Sequence, residues 1–146
     1  MSKELIIDVQ DNISYKTHVE ILNEIFGKDY KAHFKATYQV NETVKVWFPK
    51  IEKDCNGNIK PNSSGWVNRY NSNCSIITTI PPVPRHPSKS GEIVLIFIMF
   101  GHHDYRFVGA FLLDCENSNE HIHIKKRITT KVKLIGKPVD EIELIY

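Results

Sequence analysis

An α+β fold, mainly β, follows from three observations on this chain. There are two long runs of strand character with a short polar break between them, one stretch of helical periodicity near the N-terminus, and no alternation of helices with strands. Ile93 to Phe100 is an unbroken run of eight apolar residues, rich in β-branched and aromatic types. It is too short for a bilayer and suits a strand covered on both faces. In the next run Tyr105, Phe107, Gly109, Phe111 and Leu113 share one side, while Arg106, Val108, Ala110 and Leu112 share the other. With the turn-forming residues Gly101-His102-His103-Asp104 between them, the two runs make a β-hairpin at the centre of a sheet. Without βαβ alternation that sheet is expected to be mainly antiparallel. It should be small and strongly curved, or a half-open β-barrel, with one N-terminal amphipathic helix covering an opening.

The remaining elements follow in order. Leu5 to Val9 fits either a first strand or the lead into a helix. Ser14 is a candidate N-cap for a helix of about three turns, in which Val19, Leu22, Ile25 and Phe26 share a face and Gly27 ends the run. Residues 28–42 place Tyr30, His33, Phe34 and Tyr38 among lysines and follow neither period. Val44, Val46 and Phe48 alternate with Lys45 and Trp47 in a strand that Pro49 closes. Turn chemistry fills residues 52–65, with a small hairpin at Asn56-Gly57. Gly65 to Tyr70 leads to a strand over Cys74 to Ile80. Pro81, Pro82, Pro84 and Pro87 then stiffen the approach to the hairpin and carry Arg85, His86 and Lys89. From His121 to Ile135 the odd positions read His121, His123, Lys125, Arg127, Thr129, Lys131 and Lys133, and the even ones are mostly apolar. Read as one strand, this puts nearly all the charge on one solvated face.

With 146 residues, 41% apolar and 25% charged, the chain is the size and composition of one globular domain, residues 1–146. No segment approaches the roughly 20 apolar residues of a membrane helix, and MSKELIIDVQDN lacks the pattern of a signal peptide. Three scattered cysteines, Cys55, Cys74 and Cys115, suit a reducing cytoplasm. The apolar pattern of Glu141 to Tyr146, with no polar tail, suggests the N-terminal domain of a longer protein.

A formal charge of +2 does not by itself indicate nucleic acid, so the arrangement of cations has to carry that inference. Lys125, Arg127, Lys131 and Lys133, joined by Arg69, Arg85 and Lys89, are candidate phosphate contacts; a solvated strand face accounts for the first four equally well. Trp47, Trp66, Tyr70 and Tyr38 are candidate rings for stacking a base, with Asn68, Asn71 and Ser75 to reach its edge. Simple core filling is the competing explanation for the tryptophans. His102 and His103 at the hairpin tip are possible turn contacts. His121 and His123 have the spacing of paired metal ligands, but Lys125, Lys126 and Arg127 follow where a carboxylate is needed, so no metal and no cofactor is expected. Gly-rich phosphate loops, nucleophile elbows, HExxH and CxxC are all missing, which favours a binding domain over an enzyme.

Gly91-Glu92-Ile-Val-Leu-Ile followed by Tyr105-Arg-Phe-Val-Gly-Ala-Phe111 resembles the paired core strands of PUA-like domains, a superfamily that includes EVE, ASCH and SRA modules. The order of helix, Val44-Lys-Val-Trp-Phe-Pro49 and Gly65-Trp-Val-Asn68 is similar to N-terminal domains of modification-dependent restriction proteins. The resemblance covers about half the chain. It implies a curved barrel whose concave surface binds RNA, DNA or a flipped modified base. The reading that results is a non-catalytic nucleic-acid recognition domain, with DNA favoured over RNA. It would be the specificity module of a bacterial restriction or defence protein, with a fused or associated nuclease or motor domain and an open oligomeric state. Two alternatives stand beside it: a small His-dependent nuclease or hydrolase, and a protein-interaction domain using the Tyr38–Trp47 region.

Overall fold

The computed structural model describes residues 3–33 and 35–146; Phe34, one of the rings named above, lies outside the described residues. In chain order the elements are β1 (Glu4–Asp8), α1 (His18–Glu24), β2 (Thr37–Gln39), β3 (Val44–Trp47), β4 (Glu52–Lys53), β5 (Ile59–Lys60), β6 (Val67–Tyr70) and β7 (Ile76–Ile80). The second half holds β8 (Ile93–Gly101), β9 (Asp104–Leu113), β10 (His123–Thr129), β11 (Lys131–Gly136) and β12 (Val139–Ile145). Seven strands form the main sheet in the order β2-β3-β8-β9-β10-β7-β6, three form a second in the order β1-β11-β12, and β4 and β5 are the small hairpin at Asn56-Gly57. Neither large sheet closes into a barrel. Among the described residues no helix is long and apolar enough to cross a membrane.

The β8–β9 hairpin is central, as its composition requires. Leu95 and Phe97 belong to one buried cluster, and Val94, Ile96 and Ile98 to another. Successive side chains of a strand point to opposite faces, so the two clusters lie on the two sides of the main sheet. The first is completed by Ile21 and Leu22 of α1, by Phe26 in the turn after it, and by Val132 and Leu134 of the second sheet. The second cluster fills only part of its face and leaves the rest as a polar hollow.

Two expectations change, the helix start and the single strand at His121 to Ile135, and two are sharpened. The helix is shorter than its periodicity suggests and begins at Thr17, whose Oγ1 accepts the Glu20 N–H at 3.1 Å while Glu20 accepts the Lys16 N–H at 3.0 Å. Ser14 is not the cap: it donates to Asp104 at 2.6 Å, and Tyr15 is held to Tyr105 by two backbone bonds of 2.8 Å. Leu5 to Val9 resolves as a strand through Asp8, paired with β11. β3 runs parallel to β8 in an otherwise antiparallel sheet. Finally, His121 to Ile135 is not one strand. The chain bulges between Arg127 and Thr129, and β10 and β11 belong to different sheets on either side of Thr130. A single intervening residue preserves the odd–even parity, so the break leaves no trace in the pattern.

Candidate functional site

The polar hollow is a cleft of about 1370 Å³, above the roughly 300–1,000 Å³ of a closed small-ligand pocket and open on one side. Its floor is the row of residues that share one face of the sheet. Lys45 and Trp47 come from β3, Lys125 and His123 from β10, Thr79 from β7 and Asn68 from β6, with Gln39 on the β2 edge. Its walls are the turn before Trp66 and the proline-rich strap of residues 81–92, which crosses from β7 back to β8.

Asn68, Thr79, His123, Lys45 and Gln39 are each positioned by a specific bond. Thr79 donates to Asn68 Oδ1 at 2.8 Å, and Asn68 Nδ2 donates to the Lys50 carbonyl at 3.0 Å. A His123 ring nitrogen lies 2.9 Å from the Arg85 carbonyl, which ties the strap to the floor. Glu92, with 7% of its side chain exposed, pairs with Lys45 Nζ at 3.1 Å and accepts from Gln39 Nε2 at 3.2 Å. Lys125 lies over the Trp47 ring, its Nζ 4.7 Å from the centroid. Burial lowers its proton affinity, to a pKa of about 8; the neighbouring Lys45 pushes the same way and Glu92 opposes. Arg85 covers Trp66 in the same manner, at 5.4 Å, but stands on the exposed rim.

Charge is concentrated here. Five cations (Lys45, Lys50, Arg85, Lys89, Lys125) face two carboxylates (Glu42, Glu92) around the cleft, a surplus of three. The whole chain, with 19 Lys and Arg against 17 Asp and Glu, has a surplus of two.

The structure brings together Trp47, Trp66, Asn68, Arg85, Lys89 and Lys125 from the residues singled out in the sequence. It separates the others. Tyr70 shares the floor's face but lies beside Phe100, edge to face at 5.6 Å. Tyr38 points to the opposite side, where it meets Phe26 at 6.2 Å, so it and Trp47 do not form one surface. Arg69 projects from the back of β6, opposite to Asn68. Arg127 donates to the carbonyls of Asn73, Cys74 and Val108. Lys131 and Lys133 belong to the second sheet, where Lys133 Nζ is shared by Glu143 at 3.7 Å and Glu4 at 4.0 Å. The expected solvated face of β10 is in fact its inward one: His123 and Lys125 are buried because that face forms the cleft floor. Asn71 and Ser75 bond each other in the exposed β6–β7 turn. The His102 and His103 rings lie against one another at the hairpin tip, tilted by 50° with centroids 3.8 Å apart, and line no part of the cleft. His121 is exposed.

Lys45, Glu92, Gln39 and Thr79 are not among the site residues singled out in the sequence, and His123 is considered there only as one of a pair of metal ligands. The alternation of Lys45 and Trp47 against Val44 and Val46 was the available signal for one of them, and Glu92 at the opening of the central strand for another.

The family model of the SET and RING associated domain (SRA) matches residues 1–82, which contain β3, β6, β7 and the Trp66 turn. A solved structure, that of "The 5-Hydroxymethylcytosine-Specific Restriction Enzyme AbaSI", superimposes with a TM-score of 0.63 at 17% identity over 91% of this chain. This chain spans 43% of that one, less than half its length. No curated protein matches the sequence.

Proposed function

This chain belongs to the SRA domain family, and from that premise we propose that it recognises DNA by taking a modified base, turned out of the helix, into the polar cleft. The observation that carries the reading is the charge surplus of three around one concave face of a nearly neutral chain. A duplex presents phosphates to the rim, where Arg85 and Lys89 are exposed, and their counterions are released on contact. A base that leaves the stack needs an aromatic surface and fixed polar groups around its edge. Arg85 can exchange the Trp66 face for a phosphate, freeing the indole for the base, while Gln39, Asn68, Thr79 and the Glu92–Lys45 pair supply donors and acceptors. The shape resemblance to a restriction enzyme that is about twice as long supports a further step. The domain acts as the specificity module of a bacterial restriction or defence protein in the cytoplasm, with cleavage or motor activity supplied by another part of the same chain or by a partner.

Equilibrium binding to labelled duplexes and single strands, modified and plain, tests this. Affinity should fall with salt along a log–log slope of about −2 to −4, for two to four neutralised phosphates. No binding to any of these probes at 50 mM salt would refute the reading.

A further inference from the structure

One ammonium on the cleft floor has no acceptor of its own. Lys125 is 6% exposed, on a central strand, yet among the described residues its Nζ makes no hydrogen bond or ion pair. The carboxylate nearby, Glu92, is occupied by Lys45 at 3.1 Å and Gln39 at 3.2 Å. Lys125 keeps only the face of Trp47, at 4.7 Å. Its side chain lines the cleft, and none of the described side-chain nitrogens or oxygens is both fully enclosed and unpartnered. The ammonium therefore opens on the hollow. A mostly buried cation that only solvent can satisfy gains from a fixed acceptor, so a group that fills the cleft and carries one is favoured.

Depth decides what that is. Exposed Arg85 and Lys89 stand at the mouth, where a phosphate can be held while it stays hydrated. Lys125 lies on the floor, where only a group carried by an inserted base reaches it. A methyl group there would strip the ammonium of its remaining water and give nothing back, whereas an oxygen substituent would accept its proton, most strongly if it is anionic.

Taking the cleft to be a base pocket, we propose that Lys125 sets its specificity by donating to an oxygen on the base, so that the domain selects modified bases whose added group carries oxygen: anionic over neutral, and both over methyl. Glu92 serves this by neutralising Lys45, which otherwise competes for the same oxygen.

The test is fluorescence anisotropy of the purified chain with four duplexes of one sequence, carrying a single central cytosine, 5-methylcytosine, 5-hydroxymethylcytosine or 5-carboxylcytosine. The two oxygenated duplexes should bind about 10–100-fold more tightly than the methylated one, the size of effect expected of a charged hydrogen bond. Lys125→Met should bring all four within about threefold of each other, by weakening the oxygenated duplexes and relieving the desolvation penalty that the methylated one meets in the parent. Methylated DNA bound by the parent as tightly as the oxygenated duplexes overturns the proposal, and that result needs no variant. A uniform loss across all four in Lys125→Met also overturns it, because Lys125 would then be a phosphate contact. If none of the four binds even at low salt, the base-pocket reading falls, and this proposal with it.

Discussion

Replacing Glu92 with Gln removes one charge from the cleft floor and almost no volume. The carboxylate lies 3.1 Å from Lys45 Nζ, with 7% of the Glu92 side chain and 19% of that of Lys45 exposed. At this separation and an effective dielectric of about 20 the attraction is about 5 kcal/mol. Part of that offsets the cost of desolvating both ions, but removing one partner leaves the other's desolvation uncompensated, a loss of about 3 kcal/mol for a mostly buried pair. Lys125, which already repels Lys45, adds to the loss. In a domain of this size about 1 kcal/mol moves Tm by roughly 4 °C, so Glu92→Gln should melt about 10 °C below the parent at pH 7. The second arm is pH. Lys125 discharges as pH rises through about 8, after which Glu92 has one cation left to neutralise instead of two. The gap between variant and parent should therefore narrow by pH 9.5. Circular dichroism melts at both pH values measure this; a variant within 3 °C of the parent at pH 7, or a gap that widens with pH, would refute the reasoning.

Other outcomes are expected. His18 stacks on Phe48 with centroids 4.2 Å apart, and burial pushes its pKa from 6.5 down to about 4, with His33 adding repulsion. The unfolded chain then binds the proton more readily than the folded one, so the stability from a neutral His18 is complete above about pH 6.5 and is lost as pH falls toward 4. A fully enclosed ring would lose roughly 3 kcal/mol across that window; solvent around this half-buried one reduces the loss to about 1–2 kcal/mol, and urea midpoints at pH 7.5 and 4.5 should show His18→Phe with the smaller drop. Gly109 has φ +125, and a Cβ there would meet the Arg127 side chain and lie 2.8 Å from the Thr129 carbonyl oxygen; Gly109→Ala should cost about 3 kcal/mol and lower Tm by roughly 10 °C, and a normal melting curve would contradict that geometry. Modified-duplex binding should weaken several-fold between pH 7 and pH 9 as Lys125, facing Lys45, Glu92 and His123, loses its proton; the same titration on Lys125→Met should be flat. Trp66→Ala should reduce modified-duplex affinity by about 1–3 kcal/mol, the range for one stacked base, and equal binding by variant and parent would place the base elsewhere.

The central hairpin was legible because a strand covered on both faces has to be apolar at every position, and Val94 to Ile98 are. The cleft was only half legible. A period of two states which residues share a face, but not which face turns inward. Lys125 and His123 look like solvated positions until the sheet is folded around them, and their burial depends on Glu92 and Arg85, more than thirty residues away in sequence. The hand-over at Thr130 is hidden for a related reason, since two strands joined by one residue keep a common parity. The parallel pairing of β3 with β8 joins segments separated by β4 to β7, and no local signal announces a contact over that distance. Trp66 and Asn68 could be picked out because they flank a turn rich in Gly, Ser and Asn, where large rings and amides have little structural reason to gather.

The cleft's surplus of three positive charges in a chain whose total is two leaves the remaining surface one unit negative. Such a distribution draws a polyanion toward that mouth more strongly than toward the rest of the surface taken together. A first encounter with a duplex is thereby biased toward the pose with the cleft inward. Arrival in register suits the reader proposed above, which must pass over many ordinary bases before it meets the one it fits.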